Sequence, residues 1–437
     1  MWPYYPELLT RAVPRYTSFP TAAEFRQGVG EDEQRDALAA VDAPVSLYVH
    51  IPFCSELCWY CGCNTGTVGK GVRLATYLSA LEQEIDCVAQ RLPKGATVKR
   101  IAFGGGSPNA ISPIAFVRLL DKMTTTFQSG KPQISVEIDP RHFSEEWGET
   151  MGRAGVSHVS LGVQTFSGRI QRSIGRVQPF DQVARAVNSL RRVGVSSLNF
   201  DLMYGLPAQQ SDDLNDSLQR TIALGADRIA LFGYAHVPHL IPRQRRISSE
   251  NLPDQAMRFA MAGQGYVQLT AVGYTPVGFD HFALPHDPLA VAAQNGTLQR
   301  NFQGFTDDQS AILIGLGASA ISLFPSVIVQ NEKNPGRYRM RLSQGRLVGE
   351  GGVRRSTSDC ARGAAISDIL CNRPTSIAHW LDSDLRVQLG PFIERNLIHL
   401  TGDVLKPSVA TRPYARTIAA LLDPYRAETP QRFSSAI

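Results

Sequence analysis

No stretch of this 437-residue chain stays apolar long enough to cross a bilayer as a helix, so no membrane span is expected. Nor is there a basic segment followed by an apolar core at the beginning, MWPYYPELLTRAVPRY. A signal peptide is therefore not expected, and a cytoplasmic location is. Internal repeats and low-complexity tracts are lacking too, which argues against a solenoid or a disordered tail. The charge is nearly balanced, with 44 Lys and Arg against 39 Asp and Glu, a formal +5. A nucleic-acid binder would carry a dense basic stripe. The one local cluster, RQRR at 243–246, reads first as a solvated loop, and no nucleic-acid partner is expected. A small polyanionic substrate is compatible with the mild positive excess.

Cysteine is scarce and uneven. There are seven, an odd number, which does not suit a disulfide framework in so long a chain. Four of them, Cys54, Cys58, Cys61 and Cys63, fall in HIPFCSELCWYCGCNT at 50–65. Such clustering points to metal ligation in a reducing compartment, by zinc or by an iron–sulfur cluster. A zinc ribbon would need a second C-x2-C knuckle, and none follows. Whether the site uses all four thiols or three is left open by the spacing C-x3-C-x2-C-x-C. Three thiols on a four-iron cluster would leave one iron with a free position, the mark of a catalytic site.

Around these cysteines the chain alternates β-branched or aromatic runs with amphipathic stretches of helical length. Strands are predicted at 46–51, 98–103, 134–138, 158–163, 197–205 and 228–235, with helices at 76–92, 116–127 and near 253–272. That order predicts parallel βαβ units in an α/β fold, either an open barrel or a doubly wound sheet. The cysteine run then lies directly after the first strand, at the end where such folds gather ligands. Prolines 3, 6, 14 and 20 make the first forty residues read as an irregular arm, not a helix. The strand–helix rhythm occupies 41–340, and a small, mainly helical C-terminal domain is expected over 341–437.

Other motifs are weaker by themselves. FGGGSPN (103–109) follows the second strand and offers free amides to a ligand. Glu137 ends the third strand, where it could accept from ribose hydroxyls. Asp201 is an acid within an apolar strand, a residue of a kind usually paired or functional. Gly315-x-Gly317-x-x-Ala320 matches a dinucleotide-binding fingerprint, with Glu332 at about the sought distance. Pro325 would break the helix that fingerprint needs, so tight packing of small residues is the preferred explanation.

The C-x3-C-x2-C run after the first strand resembles the radical S-adenosylmethionine superfamily. The longer pattern is similar to the oxygen-independent coproporphyrinogen III oxidase family within it. That resemblance is carried by YVHIPFC…LC.YCGCN (48–64), PRYTSFPTA (14–22), NFDLMYGLP (199–207), FGYAHVP (232–238), GFDHFALP (278–285), RNFQGFT (300–306), GLGASAIS (315–322) and QRFSSAI (431–437). It implies a fold of the open (β/α)6 partial-barrel type. It also implies a [4Fe–4S] cluster on Cys54, Cys58 and Cys61, with Cys63 as an active-site thiol. Two molecules of S-adenosylmethionine are implied. The first would meet Tyr48, Gly105, Glu137 and Ile321, Tyr48 being also a catalytic candidate. The second would meet Tyr60, Gly106, Ser107, Gln164, Arg176, Asp201 and Ala235. The implied reaction converts two propionate side chains of coproporphyrinogen III to vinyl groups, giving protoporphyrinogen IX. A 5′-deoxyadenosyl radical would take a hydrogen atom from the propionate, with carbon dioxide lost and one electron passed to an acceptor. A flavodoxin- or ferredoxin-like reductant and a monomeric state are further implications.

This sequence departs from the family pattern at Ser107, Asn109 and Thr165, and Arg176 sits in GRVQ, all near the second S-adenosylmethionine. A heme-binding chaperone, an anaerobic heme-degrading paralogue and a closed four-cysteine zinc or electron-transfer site are the rival readings. Candidate partners for substrate carboxylates are Arg15, Arg243, Arg245, Arg246 and Arg300. His236 and His281 are expected to be satisfied polar groups.

Overall fold

The computed structural model describes residues 2–69 and 71–427. The QRFSSAI segment lies outside the described residues. Twelve strands form the principal ladder. In chain order they are β1 (Val45–Ile51), β2 (Val98–Gly105), β3 (Gln133–Ile138), β4 (Val156–Gln164), β5 (Ser197–Tyr204), β6 (Arg228–Gly233), β7 (Thr275–Val277), β8 (His281–Ala283), β9 (Ile312–Leu316), β10 (Ile321–Leu323), β11 (Val327–Asn331) and β12 (Gly349–Arg354). By contact the chain divides into two compact units, and the boundary falls inside β5, between Asp201 and Leu202.

One unit comprises 25–201 and 310–355. Its strands run in the order β12-β11-β10-β9-β1-β2-β3-β4-β5. The pairs β1–β2, β2–β3, β3–β4 and β1–β9 are parallel, and β9 to β12 continue antiparallel. In β1, Val45, Leu47, Val49 and Ile51 are all fully buried, as expected of a central strand in a parallel sheet. Helices α1 (Glu31–Ala39), α2 (Val72–Ala89), α3 (Pro113–Thr126) and α4 (Glu145–Arg153) belong to the same unit. Helix α3 shows why its segment is helical. Ser112 caps it by accepting from Ala115 N at 3.3 Å, Pro113 opens it, and Phe116, Leu119, Leu120 and Met123 form one buried stripe.

Helix α1 corrects the expectation of an irregular arm through residue 40. Past the last proline, EDEQRDALA has acids at its N-terminal end and no breaker, and Glu33 accepts from Gly30 N at 2.8 Å.

The second unit comprises residues up to 24, 202–309 and 356 onward. Its strand order is β5-β6-β8-β7, with β8 antiparallel to β6 and to β7. After residue 356 come helices Thr357–Leu370, Ser383–Glu394 and Ala415–Leu421 and a three-stranded sheet. The N-terminal arm is held within this unit. Tyr414 Oη donates to Pro3 O at 2.7 Å and accepts from Tyr5 N at 2.9 Å, and Tyr16 Oη donates to Asp423 at 3.0 Å. None of the described helices is long and apolar enough to cross a membrane.

Candidate active site at the ends of the parallel strands

The cysteine loop leaves the C-terminal end of β1. Its base is closed by a short parallel ladder, Phe53 opposite Gly66 and Cys54 opposite Thr67. Gly66 N donates to Pro52 O at 3.0 Å and Val68 N to Cys54 O at 3.1 Å. The loop is thus clamped where it begins and ends. Its middle is fixed by Trp59, whose N–H donates to Ile174 O at 3.0 Å. The Trp59 ring lies so close to Gly175 that a Cβ there would come within 2.6 Å of the indole nitrogen. Gly175 also has φ +64°, so glycine is needed there twice over.

All the cysteines are free thiols. Cys58 and Cys61 lie close enough to Cys54 for its thiol to feel the charge of both. Burial, then Cys61 and Cys58, pushes the Cys54 thiol up to about 12. Thiolates so crowded call for a cation among them. Among the described residues, no three Cys, His, Asp or Glu side chains converge on the position of a single ion. Four thiolates around one zinc would bring sulfurs to about 3.8 Å of each other, from Zn–S of about 2.3 Å in a tetrahedron.

Cys58, the buried one, accepts from two guanidiniums: Arg176 Nη1 at 3.2 Å and Arg141 Nη2 at 3.4 Å. Both arginines share Asp139. Arg141 Nη2 donates to Asp139 Oδ2 at 2.6 Å, and Arg176 Nη2 to Asp139 Oδ1 at 3.1 Å. All three side chains are at most 8% exposed. Burial alone would raise the Asp139 carboxyl, but Arg176 and Arg141 outweigh it and hold it below the ordinary range. Arg176 is further fixed by Gly162 O (Nε, 3.1 Å) and Gln178 Oε1 (3.1 Å). Tyr60 sits by Arg176, Cys58 and Cys61, and burial raises its hydroxyl well above the usual range despite Arg176.

A second group forms around Tyr48 and Glu137. Glu137 ends β3 and is exposed at the mouth of the strand ends. Desolvation by the surrounding protein, then the charge of Asp201, still pushes it up to about 7. Gly105 N donates to Glu137 at 3.4 Å. Tyr48, whose hydroxyl burial raises well above its usual range, feels both Glu137 and Cys63. Cys63 is exposed, yet its hydrogen bond with Cys61 and the charge of Cys61 hold its thiol well up. Ile321 follows from register: Tyr48 pairs with Gly315, and a Cβ on Gly315 would strike Ile321 O at 2.5 Å.

The glycine loop after β2 is a close-packed cradle. A Cβ on Gly104 would meet the Glu137 carboxylate at 2.7 Å, on Gly105 the His50 ring at 2.4 Å, and on Gly106 Phe53 O at 2.4 Å. Gly106 N donates to Ile51 O and Ser107 N to Phe53 O, both at 2.8 Å. The glycines therefore seat the loop against the cysteine run. The departures from the family pattern are absorbed locally. Ser107 Oγ accepts from Asp139 N at 3.1 Å, and Asn109 Nδ2 donates to Asp139 O at 2.9 Å. Thr165 is fully buried, and its hydroxyl accepts from Ser167 N at 3.2 Å.

Asp201 accepts from Ser160 Oγ at 3.0 Å and Asn199 Nδ2 at 2.8 Å. Gln164 ends β4 at φ +67°. Of the named site residues only Ala235 falls in the second unit, where its carbonyl accepts from Gln244 at 3.0 Å. His236 and His281 are satisfied as expected, by Tyr234 Oη at 2.9 Å and Asp280 at 2.6 Å. The glycine fingerprint at 315–320 is the turn from β9 into antiparallel β10, with no helix after it. Glu332 is engaged by Arg337 at 2.7 Å.

Asp139, Arg141 and His50 were not singled out in the sequence. An Asp-Pro-Arg directly beyond a strand end, where ligands gather, was the available signal for the first two. His50, beside Tyr48 (3.3 Å), is held near 4 by burial, hence neutral.

The Radical SAM superfamily model matches residues 48–221. An oxygen-independent coproporphyrinogen III oxidase of Bradyrhizobium diazoefficiens is 38% identical over 97% of this chain and 97% of its own. The Escherichia coli K12 protein of the same name is 35% identical over 97% and 96%. A solved structure described as "Coproporphyrinogen III oxidase (HemN) from Escherichia coli is a Radical SAM enzyme" matches with a TM-score of 0.90 at 33% identity, covering 97% of this chain and 99% of that one. With the cysteine loop, the glycine cradle and the strand-end carboxylates placed as described, the chain belongs to the oxygen-independent coproporphyrinogen III oxidase family of the radical SAM superfamily.

Proposed function

We propose that this chain converts two propionate side chains of coproporphyrinogen III to vinyl groups without oxygen, using a [4Fe–4S] cluster on Cys54, Cys58 and Cys61. The observation that carries this reading is the group of three thiols, none in a disulfide, with Cys58 and Cys61 close to Cys54 and with Arg141 and Arg176 donating to Cys58. When bound, the cluster and S-adenosylmethionine supply a radical that removes one hydrogen atom from the propionate β-carbon; carbon dioxide then leaves and one electron passes to an acceptor.

The chain's own residues set the conditions. Arg141 and Arg176 place hydrogen bonds and positive charge on the Cys58 sulfur, which favours the more negative, reduced state of whatever that sulfur binds. Glu137 suits the ribose of S-adenosylmethionine; the expected free amides are engaged, Gly105 N by Glu137 and Gly106 N by Ile51 O, so Gly105 and Gly106 would serve it through the close approach that glycine permits. A second such molecule would lie toward Tyr60, Gln164, Arg176 and Asp201. Neutral His50 keeps Tyr48 hydrogen-bonded without adding charge near Glu137. Cys63 stands beside Cys61 but outside the ligand set. A flavodoxin- or ferredoxin-like reductant, a monomeric state and a cytoplasmic setting complete the reading.

The test is anaerobic reconstitution with iron and sulfide, then incubation with coproporphyrinogen III, S-adenosylmethionine and a reductant. Product masses should fall by two losses equivalent to formic acid, and Cys63→Ala should retain wild-type iron. Loss of iron in that variant would show a four-thiol site, and 5′-deoxyadenosine without porphyrinogen product would point to another substrate.

A further inference from the structure

The second unit contains a small cavity of about 40 Å³, lined by Arg15, Tyr204, Phe279, Asp280, Arg412 and Arg416 among others. Arg300 and Arg258 do not line it but lie close enough to Arg15 to feel its charge. Three guanidiniums, those of Arg15, Arg300 and Arg416, feel one carboxylate, Asp280, and His281 already holds that carboxylate at 2.6 Å.

Apart from a side-chain bond between Arg412 and Tyr266, these arginines donate to backbone carbonyls. Arg15 donates to Gly233 O at 2.8 Å, Arg258 to Tyr234 O at 2.7 Å, Arg300 to Arg15 O at 3.1 and 3.2 Å, and Arg412 to Gly278 O. Four buried guanidinium nitrogens are left without an acceptor: Arg258 Nε, Arg300 Nη1, Arg412 Nε and Arg416 Nη1. Native structures rarely leave buried donors so, and two of them, on Arg412 and Arg416, belong to side chains that line the cavity, where an anion would satisfy them. Arg416 and Arg300 both lie over the Phe279 ring, at 5.5 and 5.0 Å. Stacking on an aromatic face leaves the edge of a guanidinium free to grip a planar group. The volume suits a carboxylate, not a whole ring system, and the apolar wall of Phe279 and Phe282 suits an alkyl stem.

We propose that this cavity binds the carboxylate of one propionate side chain of the substrate, with Arg416 as the principal fork. The assignment of that carboxylate to a tetrapyrrole rests on the function proposed above; the carboxylate site itself does not. The test uses the reconstituted protein and the variants Arg416→Met and Arg416→Lys. Sodium propionate should raise the wild-type melting temperature above that in equal sodium chloride, and Arg416→Met should abolish the difference. Without propionate, Arg416→Met should melt no lower than wild type, because it removes an unpaired buried charge. Coproporphyrin III, followed by fluorescence, should bind Arg416→Met roughly 10- to 100-fold more weakly. Its tetramethyl ester should lose the preference for wild type. If Arg416→Met does not fold, Arg416→Lys should show an intermediate loss, since it keeps the charge but not the fork. Equal responses of variant and wild type would overturn the site, and so would phosphate stabilising as well as propionate. A propionate response in a wild type that does not turn over coproporphyrinogen III would leave the site standing and refute the function.

Discussion

Asp139 carries more of the candidate site than any single named motif residue. One carboxylate neutralises two buried guanidiniums, and both of those also touch the Cys58 sulfur. Removing it strands two charges where water does not reach. Asp139→Ala should lower stability by about 3–5 kcal/mol, measured by urea unfolding. The exposed pair Arg153–Glu149, 84% and 63% exposed, is the control, and its disruption should cost no more than about 0.5 kcal/mol. Near-equal losses would show that the Asp139 pair is solvated. The sequence made Cys54, Cys58, Cys61, Glu137 and Asp201 legible, because chemistry-bearing residues at strand ends are few. Arg141 escaped notice since a lone arginine in sequence looks like any surface arginine. Only the folded chain brings it from β3's end onto Cys58, 83 residues away.

Among the elements, the loop after β2 and the loop after β1 behave as one piece. The amides of Gly106 and Ser107 bond to the carbonyls of Ile51 and Phe53, and the Gly106 Cα sits where no side chain fits. Both atoms that a Gly106 Cβ would strike most closely are backbone oxygens, which have no rotamer to change. Gly106→Ala should therefore cost about 1–3 kcal/mol and reduce iron uptake on reconstitution, seen by denaturation and iron analysis. Unchanged iron content would mean that the cysteine loop is seated by its own short ladder alone. The strands were readable from periodicity to within two residues at most ends: 46–51 against Val45–Ile51, and 134–138 against Gln133–Ile138. Helix α1 was not, because the proline count of the preceding arm coloured the whole forty-residue window. The fingerprint at Gly315–Ala320 shows the converse. Its glycines serve a turn pressed on Tyr77 and His50 O, where a Cβ on Gly317 would come within 2.6 Å of both.

The whole molecule's response to pH gathers two buried carboxyls of opposite behaviour. Glu84 of α2 accepts from Tyr338 Oη at 2.6 Å, Gly317 N at 2.6 Å and Asn331 Nδ2 at 2.7 Å, yet burial pushes it up to about 7. A folded-state value above the unfolded one gives stability that is present in full below about pH 4.3 and lost as pH rises through about 7. Asp139 is depressed, so its contribution is present above about pH 3.9 and lost as pH falls. Stability from these two groups should thus peak near pH 4 and decline from there to about pH 7, by an amount on the order of 3 kcal/mol from Glu84, and level off above it. Glu84→Gln should flatten that decline in denaturation curves taken from pH 5 to 8; an unchanged slope would assign it elsewhere. By itself the sequence determined the α/β class, the strand that precedes the cysteine run and the family, since periodicity and motif spacing are local properties of a chain. Tertiary structure alone decided which charges meet: that Asp139 holds two arginines on Cys58, and that three arginines from distant segments line one cavity. Such juxtapositions depend on how segments hundreds of residues apart pack together, and no local pattern encodes them.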